Sequence, residues 1–194
     1  MEVVVIGGNF RGKGAEAMLL TVVQELAARI PGICFSVLTN DNEPIPQDSV
    51  ASIKDIPVSF VHAPPRSFAD LAFWGVRWLF LVDRWSRLRQ YFQCASRAVA
   101  VIDISGYSFR PRGRFPGRTA LNHSTKLALS RRAGAKHIFL PQVMGPINGR
   151  LDRSIARRAL LSASSITVRD QVTWSILDQL GVPAAKSVGV CPDI

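Results

Sequence analysis

Short apolar runs separated by helical patterns govern what this chain can fold into. Val3-Val4-Val5-Ile6, Cys34 to Leu38, Val58 to Val61, Ala98 to Ile104, His137 to Leu140, Ser165 to Val168 and Lys186 to Val190 are each four to seven residues long, and the first five are mainly apolar. Strands that are apolar on both sides need cover on both sides, which is the condition of a parallel sheet between layers of helices. The intervening segments supply those helices. Glu16 to Arg29 places Ala17, Leu20, Val23, Leu26 and Ala27 on one face before Pro31-Gly32 stops it. Thr119 to Ala133 ends at Gly134, Leu151 to Ala163 is a basic helix, and Asp170 to Leu180 ends at Gly181. The expected architecture is a single α/β domain over residues 1–194, a Rossmann-like doubly wound parallel sheet with helices on both faces. Ligands are then expected beyond the carboxyl ends of the strands.

Several of those ends carry loops suited to ligands. The first strand runs into Gly7-Gly8-Asn9-Phe10-Arg11-Gly12-Lys13-Gly14, where glycines admit a close backbone approach and the following helix offers free N–H groups to an anion. The spacing matches G-x-x-x-x-G-K, yet Gly14 stands where a nucleotide-binding P-loop needs a hydroxyl for Mg²⁺. It also misses G-x-G-x-x-G, and no acidic residue closes the second strand to hold a ribose. Two readings stay open: a tight turn without a ligand, and a site for a phosphate or sugar phosphate. The fourth strand delivers Ser105-Gly106-Tyr107-Ser108-Phe109, the fifth leads into Pro141-Gln142-Val143-Met144-Gly145-Pro146, and the sixth ends in Arg169-Asp170. Asp170 is placed to cap the next helix, and Glu16 lies in a first helical turn, where a carboxylate is stabilised by the helix dipole.

Self-sufficient chemistry is not signalled. His62, His123 and His137 are far apart and form no metal-ligand spacing, so no metal is expected and each histidine reads as structural. Ser105 lacks the G-x-S-x-G elbow of a serine hydrolase. Cys34, Cys94 and Cys191 make no CxxC and cannot all pair, which suits reduced thiols in the cytoplasm, and no basic and apolar leader pattern opens the sequence.

Charge is unevenly spread. Residues 66–158 hold 18 basic and 4 acidic side chains, a net of +14, against 6 − 10 = −4 in the remainder. A cationic middle fits nucleic acid, an anionic membrane surface or phosphorylated substrates, and nucleic acid is disfavoured because no recognised binding motif accompanies the charge. Within 67–95, Leu71, Trp74, Trp78, Leu81, Trp85, Leu88 and Phe92 form one helical stripe flanked by Arg77, Arg84, Arg87 and Arg89. Asp70, Arg77 and Asp83 break it too often for a membrane span. The stripe is expected either to pack on the sheet or to lie on a membrane or partner helix.

Read together, the loops resemble the polysaccharide pyruvyl transferase family. Gly8 to Leu19 looks like the family's opening motif, with Ala15 where many members have Asp. Asp103-Ile104-Ser105-Gly106-Tyr107-Ser108-Phe109 resembles its Ser-Gly-Gly loop with Tyr107 replacing a glycine, and Gln142, Gly145 and Pro146 match Gln-x-x-Gly-Pro. Ile166-Thr167-Val168-Arg169-Asp170, with Leu177 and Leu180-Gly181-Val182, is similar to a Thr-Val-Arg-Asp segment and its helix, and Pro192-Asp193 resembles the close of the first half.

The resemblance implies the N-terminal half of a two-domain, GT-B-like enzyme of exopolysaccharide biosynthesis. It would move pyruvyl from phosphoenolpyruvate onto a sugar as a ketal, without a cofactor. The histidines and arginines for phosphoenolpyruvate are implied mainly in a second domain, so no catalytic residue is assigned and residues 1–194 alone are expected to be inactive. Gly8, Asn9, Lys13, Gly14, Gly106, Gln142, Gly145 and Arg169 are the expected substrate-binding residues on this side of the cleft. A sugar acceptor, lipid-linked in some pathways, would account for the cationic middle through membrane contact at 67–95 and 110–118, on the cytoplasmic face. Half of a nucleotide-sugar glycosyltransferase and a non-catalytic sugar-phosphate or membrane-surface module are the alternatives.

Overall fold

The computed structural model describes residues 1–8, 10, 13–39, 51, 53–62, 88–109, 118–147 and 149–190. In chain order the elements are β1 (Glu2–Ile6), α1 (Lys13–Arg29), β2 (Cys34–Thr39), β3 (Val58–His62), a helical stretch α2 (88–95), β4 (Ala100–Asp103) and β5 (Tyr107–Ser108). They continue with α3 (Arg118–Arg132), β6 (Lys136–Met144), α4 (Arg150–Ser162), β7 (Ser165–Val168), α5 (Gln171–Gln179), a 3₁₀ turn Ala184–Lys186 and β8 (Ser187–Val190). The strands form one parallel sheet in the order β3-β2-β1-β4-β6-β7-β8, with β5 alongside β6.

Alternate residues of each strand serve opposite layers, as the twofold repeat of a strand requires. Val3, Val5, Phe35, Val37, Ile102 and Ile104 face α1, whose Leu19, Val22 and Val23 are buried against them. Val4, Ile6 and Val101 face the other way and meet Tyr91 and Ala95 of α2. Further along that second face, Phe139, Ile166 and Val168 pack on Leu127 of α3, on Ala156, Ala159 and Leu160 of α4, and on Leu177 of α5. Each fully buried Val, Leu or Phe here is worth about 1.5–3 kcal/mol of hydrophobic stabilisation. Helices thus cover both sides, as the continuous apolar strands demand.

The expected boundaries change in three places. The helix after the glycine loop starts at Lys13 rather than Glu16, so Lys13 and Gly14 belong to its first turn. The fifth apolar run does not stop at Leu140: β6 continues through Pro141 to Met144, with a register shift between Phe139 and Gln142. A proline cannot donate to a ladder, and the irregularity there lets the strand carry on past it. Tyr107 and Ser108, expected in a loop, pair with Val143 and Met144 as an added short strand. Of the long stripe in 67–95 only the last turns are described. There Tyr91 and Ala95 are buried on the sheet while Leu88 and Phe92 are half-buried, so this end packs inward. The remainder of the stripe and the arginine-rich 110–117 lie outside the described residues, as does Cys191. Cys34 and Cys94 are free thiols.

Candidate functional site

From the centre of the sheet the chain leaves in two directions. β1 leads outward to β2 and β3, whereas its neighbour β4 leads the other way to β6, β7 and β8. Connections that diverge from adjacent parallel strands open a crevice at their carboxyl ends, which is where such sheets bind ligands. Here the two bordering loops touch. The ladder runs past the strand ends, with Ile104 N–H donating to Ile6 O at 2.9 Å. At Gly7, φ is +86°, and a Cβ there would lie 2.5 Å from both Cα and N of Ser105. Glycine is therefore required twice over at this position, by its backbone angle and by the loop pressed against it.

Beneath that contact is a carboxylate that sequence reasoning did not single out. Asp103 ends β4 and is 1% exposed. Its Oδ1 accepts from both the backbone N–H of Ser105, at 2.9 Å, and the Ser105 hydroxyl, at 2.5 Å. Its Oδ2 lies 3.8 Å from His123 Nδ1. Burial pushes His123 down to about 4, outweighing the upward pull of Asp103, so the imidazole is neutral near pH 7 and the contact is not a full ion pair. Ser105 donates straight to a carboxylate, with no histidine between them. The arrangement orients the hydroxyl but does not activate it as a Ser-His-Asp relay would.

A second polar chain runs alongside. Ser130 Oγ lies 2.9 Å from His137 Nδ1 and 2.5 Å from the Tyr91 hydroxyl, and donates to Lys126 O at 3.0 Å when turned toward the helix backbone. Burial lowers His137 to about 4 and raises the Tyr91 hydroxyl above its ordinary range, so both are neutral. These groups lock α2 and α3 to β6. Phe109, with φ of +58°, is 3% exposed and sets its ring 5.0 Å from His123 and 6.4 Å from Phe139, fixing the far end of the loop after β4.

The remaining loops join the same edge in strand order. Gly106 O accepts from Val143 N–H at 2.8 Å, and Thr173 Oγ1 accepts from Met144 N–H at 3.1 Å. Thr173 N–H in turn donates to Asp170 Oδ1 at 2.6 Å, the expected helix cap. Four loops are thereby tied into a continuous rim from Gly7 to Asp170. Of the predicted site residues, Gly8 is buried under Leu19, Gly106 sits in the rim at φ +70°, and Gly145 and Arg169 are half-buried just beyond β6 and β7. Gln142 is a strand residue opposite Val168 rather than part of a loop. Lys13 and Gly14 are exposed in the first turn of α1, and a Cβ on Gly14 would meet nothing within 4 Å. Asn9 lies outside the described residues. Among the described residues no group of three His, Cys, Asp or Glu side chains could hold a metal, and no helix is long and apolar enough to cross a membrane. Ser130 and Thr173 are contributors sequence reasoning missed; His123 is structural as expected, and Asp103, named only within the loop motif, had its closing of an otherwise apolar strand as the available sign.

A model of polysaccharide pyruvyl transferases matches residues 13–194, a span that contains the loops after β4, β6 and β7. The chain belongs to the polysaccharide pyruvyl transferase family. No curated protein sequence matches it significantly. Among solved structures, all of this chain superposes on 53% of Phytolacca americana UGT2, complexed with UDP-2fluoro-glucose and pterostilbene, with a TM-score of 0.54 and 14% identity. The UDP complex of LpCGTa gives 0.55 and 12% over 54% of that chain, and Acinetobacter baumannii MurG gives 0.51 and 14% over 46%. At such identities the likeness is one of fold, and this pyruvyl transferase family member has the GT-B-like Rossmann layer. The chain spans about half the length of these structures.

Proposed function

We propose that this chain forms the N-terminal side of the cleft in a transferase that moves pyruvyl from phosphoenolpyruvate to two hydroxyls of a sugar in a polysaccharide or its lipid-linked precursor, in the cytoplasm. The observation that carries the reading is the family match over 13–194 together with the continuous rim of loops at the topological switch point. The reaction balances without a redox partner. A proton adds to the methylene carbon of phosphoenolpyruvate and makes the methyl group; the neighbouring carbon gains cationic character, two sugar oxygens bond to it, and its bond to the phosphate oxygen breaks. One hydroxyl proton replaces the one consumed and the other leaves with phosphate. No residue of this chain is assigned as the proton donor. This chain's share is placement: the rim backbone at Gly106 and Gly145 lets a sugar approach, Gly8 packs the loop under Leu19, the oriented Ser105 hydroxyl offers an acceptor lone pair, and Asn9, Lys13, Gln142 and Arg169 are the residues assigned to the anionic donor or acceptor.

The test is single-turnover assay of the full protein with carbon-labelled phosphoenolpyruvate and a panel of hexose and N-acetylhexosamine oligosaccharides. Acceptor-dependent phosphate release with label fixed as an acid-labile ketal is the expected result. The glycosyltransferase reading, favoured by the UDP-bound neighbours, predicts consumption of a UDP-sugar and thermal stabilisation by UDP instead. That outcome would replace the proposal.

A further inference from the structure

One face of the molecule, bordering the rim, is strongly cationic. The sequences of α3 and α4 hold eight basic residues and one acidic one. α4 buries Ala156, Ala159 and Leu160 against the sheet and turns Arg150, Arg153, Arg157 and Arg158 outward, all exposed. The spacing i, i+3, i+7, i+8 lines these guanidinium groups along a helix about 20 Å long. The lone acid, Asp152, is spent locally: its Oδ2 turns back to the start of the helix, 3.3 Å from the Cβ position of Gly149. Among the described residues no carboxylate pairs with any of the four arginines; Arg153 donates to Gln179 O at 3.2 Å. Arg131 and Arg132 extend the charge from the end of α3, which packs beside α4.

This surface differs from a nucleic-acid reader in one respect. Leu151 stands among the arginines at 72% exposure, and Val172, in the first turn of the next helix, is 67% exposed. Both helices start at the same edge of the sheet, where the neighbouring strands β6 and β7 end. Cations on the same face as exposed apolar side chains suit a lipid bilayer, whose anionic headgroups meet the charge while the acyl boundary takes the apolar groups. A duplex offers phosphates with no apolar layer behind them. We propose that the outer face of α4, with the end of α3, is a docking surface for an anionic lipid bilayer. The proposal concerns a different surface from 67–95 and 110–118, and it stands whether or not the chain transfers pyruvyl.

The test is co-sedimentation of the full protein with vesicles of equal parts phosphatidylglycerol and phosphatidylcholine at low salt. Each basic residue at such a surface contributes about fivefold in partitioning, so Arg150→Gln with Arg158→Gln should weaken binding about 25-fold. Arg150→Lys with Arg158→Lys should keep it. Arg29→Gln with Lys54→Gln removes the same charge from the opposite side of the sheet, where Arg29 pairs with Glu25 and the neighbours of Lys54 pack with α1, and should leave binding within about twofold. Failure of the native protein to sediment, equal losses in the two glutamine pairs, or tighter binding to duplex DNA at the same salt that depends on Arg150 and Arg158 would each overturn the proposal.

Discussion

Two glycines of the opening motif, one in the loop and one in the helix after it, should respond to alanine with opposite signs. At Gly7 the backbone holds φ of +86°, and an added methyl would sit 2.5 Å from main-chain atoms of Ser105, which cannot rotate away. A positive φ costs an L-residue about 1–2 kcal/mol. Displacing a packed neighbour adds about 1–3 kcal/mol. Gly7→Ala should therefore destabilise by about 2–5 kcal/mol, with a central value near 3 kcal/mol. With a urea dependence of about 2 kcal/mol per molar, that is a shift in midpoint of about 1.5 M. At Gly106, φ is +70° but nothing lies within 4 Å of the Cβ position, so only the backbone cost of about 1 kcal/mol applies. At Gly14 the site is helical and open, and alanine should stabilise by about 0.5 kcal/mol. Urea titrations followed by circular dichroism would read the series. If Gly7→Ala came within about 0.5 kcal/mol of the native protein, or if Gly14→Ala cost more than Gly7→Ala, the described contact between the β1 and β4 loops would be refuted.

Acidification should destabilise the fold in a defined window. His123 and His137 are held at about 4 by burial, against an ordinary value of 6.5, so the unfolded chain binds protons between those limits that the folded chain does not. Stability should be full above about pH 7 and fall as pH drops from 6.5 toward 4, by up to about 3 kcal/mol for each histidine. Urea midpoints measured from pH 4 to 8 check this, and a flat profile would count against two neutral buried imidazoles. Asp170→Ala should cost about 1–2 kcal/mol by removing the cap on Thr173 N–H, whereas Asp170→Asn should recover most of it. Paired thermal melts of the two variants distinguish a lost cap from a lost charge.

The layers of this fold were legible because β1 and β2 are mainly apolar runs between turn residues, and a run of that kind belongs inside a parallel sheet. β6 was cut short because Pro141 reads as a stop, and only the neighbouring strands and the register shift explain how pairing resumes beyond it. Gly14 read as a loop glycine since composition cannot say on which side of Lys13 a helix begins. The loops at the strand ends were visible as motifs, and the hydrogen bonds that tie them into one rim were not. Asp103 serves Ser105 two residues on and faces His123 twenty residues on, and the second of these contacts exists only after α3 has docked on β4 and β6.

The position of β1 also sets a schedule for biosynthesis. It lies between β2 and β4, and its partner Ala100 follows Val3 by 97 residues. At roughly 5–20 residues per second, a ribosome needs on the order of 5 to 20 s to bring out the second neighbour. During that interval a strand of consecutive valines has one hydrogen-bonding edge open in the nascent chain. Such an edge invites pairing with another polypeptide. This central strand of the finished sheet is thus the one that a nascent-chain chaperone would have to shield longest, and slowing elongation between β3 and β4 would lengthen the exposure.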